Sequence, residues 1–279
     1  MWIDTHAHLD ASELDPGREA MLERAARAGV GCVVVPAVEP SNFGAVRELA
    51  HAHGHAYALG VHPLYVGHLR REDLRLLHEE LRQRIGDPRL VALGEIGLDH
   101  FVEQDAAARA EQAWWYEQQL DLAAGFALPV LLHVRRAQDA VAAALRRRGW
   151  GARGHGGIAH AFNGSEQQAR AFLALGLCLG FGGTLSFERS RNIRRLAQSL
   201  PAQALVLETD SPDMAPQWMA HGPDARPNEP AELPRIGAVL AGLRDWTPEH
   251  TAAVTGANAR RVLPRLDALL GGAGAAPPA

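Results

Sequence analysis

The chain has 279 residues, 47% of them hydrophobic, and a net charge of −4. That length suits one large domain with a sizeable core, and the slight acidity excludes a strong overall field that would draw in nucleic acid or an anionic membrane. All the basic residues are arginine, so chemistry that needs a lysine, a Schiff base or a phosphate-binding P-loop, is excluded as well.

In chain order, the first predicted strand, Trp2–Thr5, runs into His6 and His8 in "WIDTHAHLD". A helical pattern over Gly17–Ala28 leads to a second strand, Cys32–Pro36. The helix Asn42–His53 follows, and then the strand Tyr57–Val61, which ends in His62 of "GVHP". Next come the helix Asp73–Ile85 and the strand Val91–Glu95 in "ALGEIGLD". Helix Ala106–Gly125 carries Trp114 and Trp115, read as packing residues, and precedes the strand Val130–His133 of "PVLLHVRR". The remaining alternation is Ala137–Arg148, the strand Ile158–His160, Glu166–Leu175, the strand Cys178–Gly182, Asn192–Leu200 and the strand Leu205–Thr209, which leads to Asp210. A long loop, Ser211–Pro230, contains Trp218, read as a loop anchor before a base-stacking residue; helices Glu229–Gly242 and Pro248–Leu263 close the pattern. Residues 1–265 are expected to form the domain and 266–279 a disordered tail.

Eight continuously apolar strands, each followed by a helix, predict an α/β single-domain (β/α)8 TIM barrel. A doubly wound open sheet usually brings a glycine-rich loop after its first strand, and that position holds His-x-His here. Cys32 and Cys178 lie in strand-like runs without a Cys-x-x-Cys, as buried thiols of a reducing compartment do. No apolar run approaches the length of a membrane span, and no signal segment is evident at the N-terminus. The expectation is a soluble, cytoplasmic monomer.

In a barrel the carboxyl ends of the strands converge on one face, where active sites form. His6, His8, Glu95, His133, His160 and Asp210 all lie at such ends, with His62. Taken singly, each has a plainer reading as a hydrogen-bonded strand end or turn residue. Together, so many ionisable groups at one face call for a cation to organise them. The period of two puts His6 and His8 on one side of the chain, where they and Asp210 suit one divalent ion. His133 and His160 suit a second, with Glu95 able to bridge. Two divalent cations are therefore expected, from Zn, Mn, Co, Ni or Mg; mixed imidazole and carboxylate donors favour the first four over Mg. By contrast, His51, His53 and His55 have similar spacing but precede a strand, which places them at the opposite face in a solvated turn.

The motifs "DTHAHLD", "GVHP", "GEIGLD", "PVLLHVRR", "HAFNGS", "FGGTLSF", "ETDSPDMAP" and "RPNEP" run through nearly the whole chain. In that order they resemble the TatD-related metal-dependent hydrolases, described as deoxyribonucleases and similar to amidohydrolases in their metal-bearing barrel. The resemblance implies one ion among His6, His8, Glu95 and Asp210 and another among Glu95, His133 and His160. Ala161, Asn163, Asp213 and Met214 depart from the family's usual residues near the pocket and bear on substrate identity.

A two-metal site implies hydrolysis of a phosphodiester by a metal-bound hydroxide, with DNA ends, short oligonucleotides or small phosphoesters as substrates. Asp210 and Glu95 are the catalytic candidates, Asp210 by orienting the attacking water or taking its proton. His62, Arg135 and Arg136 are the substrate-binding candidates; Glu208 is expected to be an internal ion-pair partner. The competing readings are a glutamate-bridged amidohydrolase, a small-molecule or trinuclear phosphoesterase, and an inactive scaffold. The lysine-bridged amidohydrolase is excluded by composition.

Overall fold

Parallel strands buried on both faces favour unbroken aliphatic runs, and "VGCVVVP" and "LVALGEIGLD" are the clearest here. In the computed structural model, which describes residues 1–102, 105–219 and 226–271, the strands are β1 (Trp2–Asp4), β2 (Val30–Pro36), β3 (Ala56–Leu59), β4 (Leu90–Asp99), β5 (Val130–Arg135), β6 (Gly157–Ala159), β7 (Leu177–Phe181) and β8 (Leu205–Leu207). They are parallel and adjacent in chain order from β1 to β8. The helices are α1 (Arg18–Arg27), α2 (Phe43–His53), α3 (Leu74–Arg84), α4 (Ala106–Gly125), α5 (Gln138–Arg147), α6 (Glu166–Ala174), α7 (Arg191–Ser199), α8 (Leu233–Arg244), α9 (Pro248–Val262) and α10 (Pro264–Leu269). This is the expected (β/α)8 barrel.

The ring closes where β1 meets β8. Thr5 N–H donates to Leu207 O at 3.1 Å, and Thr209 N–H donates to the Asp4 carboxylate at 3.0 Å. One apolar cluster fills the space between sheet and helices, with Trp115, Trp150 and Phe172 fully buried in it. A second joins Ile3, Cys32, Ala58, Leu131, Ile158, Cys178 and Val206 to Val262, Leu263 and Leu266. The end of α9 and all of α10 thus cover the barrel's N-terminal mouth. Arg265 fastens this plug through the carbonyls of Ile85, Asp87 and Leu90.

Three expectations change. The boundary at residue 265 falls inside α10, where Leu266 is fully buried, so the folded unit runs at least to Leu269. Of the expected tail, residues 272–279 lie outside the described residues. The His51–His55 segment is not a solvated turn. His51 and His53 end α2 and face Asp87 and Glu19, while His55 is buried beside them. Finally, β1, β6 and β8 are only 3 residues each and stop short of His6, His160 and Asp210. The extended path continues nevertheless: His6 O and His8 N bond toward the β8 side, to Asp210 N and Ser211 O, while Ala7 N bonds to Val34 of β2. That alternation keeps both histidine rings on one side. Among the described residues, no helix is long and apolar enough to cross a membrane.

Candidate metal centre

Glu95, buried within β4, uses its two carboxylate oxygens on two separate groups. Oε2 lies 3.1 Å from His6 Nε2 and 3.4 Å from His8 Nε2. Those two ring nitrogens are 3.2 Å apart, and each is 3.7 Å from Asp210 Oδ1. Oε1 lies 2.9 Å from His133 Nδ1 and 3.0 Å from His160 Nε2, which are 3.5 Å from each other. All six ligands expected from sequence therefore meet, three of the histidines and both carboxylates from elements far apart in the chain.

The donor set fits divalent cations. His6 Nε2 and His8 Nε2 lie 3.1–3.7 Å from each other, from Glu95 Oε2 and from Asp210 Oδ1, and His6, His8 and Asp210 offer donor atoms close enough to share one ion. Imidazole nitrogens and carboxylate oxygens crowded this closely in a buried site are what a cation organises.

His62 packs edge-on against His133, with ring centroids 4.4 Å apart, and offers a donor atom beside those of Glu95 and His133. Its Nε2 is 3.4 Å from Glu95 Oε1, but its Nδ1 accepts the Leu64 N–H at 3.2 Å. The neutral ring's proton then sits on Nε2 and points at the carboxylate, so His62 holds Glu95 as a donor and does not offer it a competing lone pair.

Residues outside the ligand set orient it. His133 Nε2 donates to Asp99 Oδ2 at 3.0 Å, the carboxylate–histidine relay that fixes a ligand's tautomer. Glu208 is buried, accepts the Ala161 N–H and lies 3.7 Å from His160 Nδ1; this is the expected internal partner. A Cβ on Gly180 would run into the Glu208 carboxylate, so β7 needs glycine there. Asp4, also buried, accepts from His6 N and from Thr209 N and Oγ1, locking the two ligand-bearing chain ends together. Asp210 itself is held at φ 56°, a left-handed conformation that costs free energy and is found where a site demands it.

Burial and mutual charge set the protonation. Burial and the neighbouring His160 drive His6 down to about 3. Burial also disfavours charge on His8 and His160, but Glu95 and Asp210 outweigh it and lift them to about 9 and about 10. Burial alone would raise Glu95; His62, His160 and His6 overcome it and hold the carboxylate well below its usual range. Burial lifts Glu208 to about 8 and Asp4 to about 7. The centre thus couples ionised Glu95 to a cage of imidazoles.

The family model described as TatD related DNase matches residues 3–264. The chain belongs to the TatD family. It is 41% identical over 244 residues to an uncharacterized metal-dependent hydrolase, YjjV, of Escherichia coli K12, covering 87% of this chain and 90% of that one. It is 32% identical over 263 residues to the protein named 3'-5' ssDNA/RNA exonuclease TatD of Erwinia billingiae, covering 93% and 98%. The crystal structure of the E. coli YjjV, a TatD homologue, superimposes with a TM-score of 0.85 at 37% identity, over 94% of this chain and 98% of that one.

The TatD-family centre lies at the floor of a cavity of about 1070 Å³. His62, Arg135 and Arg136, the predicted substrate contacts, all line it. Among the described residues the Arg136 side chain has no hydrogen bond or ion pair, and that of Arg135 has only Asp99, at 4.0 Å. Both guanidiniums lie over the Phe101 ring, 4.0 and 4.6 Å from its centroid. Trp218 is a loop anchor: its Nε1–H donates to Glu232 at 2.8 Å and Arg235 covers its ring. Trp115 is core, with Trp114 packed edge-on against it. Sequence reading missed Asp4, Asp99 and Phe101. The signal for Asp99 and Phe101 was their nearness to Glu95 on one apolar run, "GEIGLDHF".

Proposed function

We propose that this chain is a metal-dependent exonuclease that releases nucleotides from single-stranded DNA or RNA ends and short oligonucleotides, acting as a monomer with two divalent ions. The observation that carries this reading is Glu95, with each oxygen facing a pair of histidine nitrogens. The name of the Erwinia relative, a 3'-5' ssDNA/RNA exonuclease, supports the substrate class. His6, His8, Glu95 and Asp210 would hold one ion, and Glu95, His133 and His160 the other. Their imidazole content favours Zn, Mn, Co or Ni over Mg.

Bound there, divalent ions polarise the scissile phosphate and make a nearby water acidic. The protein's own groups do the rest. Glu95 keeps the two donor groups in register, with His62 donating to its Oε1. Asp210 lines the cavity and takes the proton of the attacking water. Arg135 and Arg136 present charged donors to the non-bridging phosphate oxygens. The same cavity carries Asp10, Glu13 and Asp213, so its walls are not the continuous basic track that tight duplex binding requires.

The test is hydrolysis by metal-reconstituted protein of single-stranded DNA, duplex DNA, RNA, small phosphoesters and an amide panel. Single strands are the expected best substrates, with activity abolished by chelation and restored by Mn or Zn. Asp210→Asn should lose at least about 100-fold, as for a proton-transfer group, and serves as the control for contaminating nuclease. Activity that survives exhaustive metal removal, or is confined to amides, overturns the reading.

A further inference from the structure

The loop after β4 puts a large aromatic ring at the mouth of the cavity. Phe101 lines it with 39% of its surface exposed, while Tyr65 and Leu64, from the loop after the neighbouring β3, line it at 37% and 38%. Exposed large apolar side chains are few among the described residues, so three on one cavity rim call for an explanation. Phe101 is also the ring over which Arg135 and Arg136 lie. Its backbone is fixed, because Asp99 accepts the N–H of Phe101 at 2.9 Å, and the same carboxylate holds His133. Arg136 has φ 54°, a conformation a residue other than glycine adopts at a cost. The result is a layer of flat groups, one ring and two guanidiniums, anchored through one carboxylate to a metal-ligating histidine.

We propose that Phe101 is a specificity-determining residue: its ring, layered with Arg135 and Arg136, stacks a nucleobase next to the scissile phosphate, which places that phosphate over Glu95. Every base has a flat face, so such a platform binds single strands without regard to sequence. A base paired within a duplex does not present its face. The guanidiniums serve twice, as part of the stack and as donors to the phosphates on either side. This rests on the nuclease reading above and adds to it the group that recognises the base.

A two-by-two comparison tests it with the metal-reconstituted enzyme: wild type and Phe101→Ala, each on a single-stranded oligonucleotide with normal bases and on the same oligonucleotide carrying abasic sites at its terminal positions. Losing the ring or losing the bases should each lower kcat/KM roughly 10-fold, mainly through KM, as expected for one stacked base. Losing both should cost no more than losing one. Phe101→Trp should retain wild-type preference for intact bases. Phe101→Ala that still discriminates intact from abasic substrate by the wild-type factor, or a Phe101→Ala KM equal to wild type, overturns the proposal. Wild-type enzyme inactive on every oligonucleotide overturns the nuclease reading instead, before any variant is compared.

Discussion

Asp99 accepts from three groups at once: His133 Nε2 at 3.0 Å and the backbone N–H groups of Phe101 and Val102 at 2.9 and 2.8 Å. Burial alone would make such a carboxyl harder to ionise, but the His133 hydrogen bond and the backbone donors outweigh it and hold it at about 2. It is therefore a fixed negative charge that keeps the His133 proton on Nε2 and the Nδ1 lone pair toward Glu95 Oε1. Asp99→Asn keeps the shape and removes the charge. Affinity for the ion held by His133 and His160 should fall roughly 10- to 100-fold, the usual effect of losing such a partner. The ion among His6, His8 and Asp210 should bind as before. Titration of the metal-free protein with Mn or Zn, followed calorimetrically, would show one of two sites weakened; two unchanged sites would refute the relay. At this scale the convergence of the six candidate ligands was legible because each is a metal-capable type at a strand end. Asp99 was not, because "GLD" after Glu95 reads as a turn, whereas β4 extends through it. Asp4 was hidden for another reason: its partner, Thr209, is 205 residues away.

Among the elements, the join of α2, β3 and the α3–β4 turn shows how the non-catalytic face is held. Asp87 sits in that turn and accepts from His51 Nε2 of α2 at 2.7 Å, from Tyr57 OH of β3 at 3.0 Å and from its neighbour Arg89 N at 3.0 Å. Burial raises its carboxyl, but these donors, His51 first, outweigh it and leave the folded pKa below the ordinary value. A folded pKa that is depressed contributes stability fully present above the unfolded pKa of about 4 and lost as the pH falls through the folded value. Asp87→Ala should therefore cost about 1–3 kcal/mol at pH 7, the scale of hydrogen bonds to a charged acceptor with one partner left behind. The gap between variant and wild type in urea unfolding should narrow as the pH is lowered through that range. A gap that stays constant with pH would show that the ionised carboxylate is not what holds the join. Helices and strands were readable here from their periodicity, but this role was not. The spacing "HAHGHA" predicts only a histidine-rich segment, and nothing local shows that an aspartate 36 residues later receives one of its rings. The same holds for α10, which Pro264 disguises as an ending although the proline sits at its first position.

Across the whole molecule, the barrel's closing seam and the metal centre are one structure. Asp4 and Thr209 tie β1 to β8 by side-chain hydrogen bonds, and just beyond them on the two chain ends His6 and Asp210, both candidate ligands, are joined backbone to backbone at 2.8 Å. The remaining candidate ligands come from β4, β5 and the end of β6, so the donors span most of the ring. In the unfolded chain these groups are scattered from position 6 to position 210 and bind a cation far more weakly, so metal binding should stabilise the folded state. At free metal about 100 times the dissociation constant, each site contributes about 2.7 kcal/mol. Two sites then correspond to roughly 10 °C in Tm for a folded unit of about 270 residues. Exhaustive chelation should lower the Tm on that scale, and readdition of Mn or Zn should restore it. Glu95→Gln should shrink the metal-induced rise by more than any one histidine variant, because its two oxygens serve both donor groups and its loss weakens both sites together. Equal effects for Glu95→Gln and His133→Ala would mean that the two groups bind independently and that Glu95 does not couple them across the barrel.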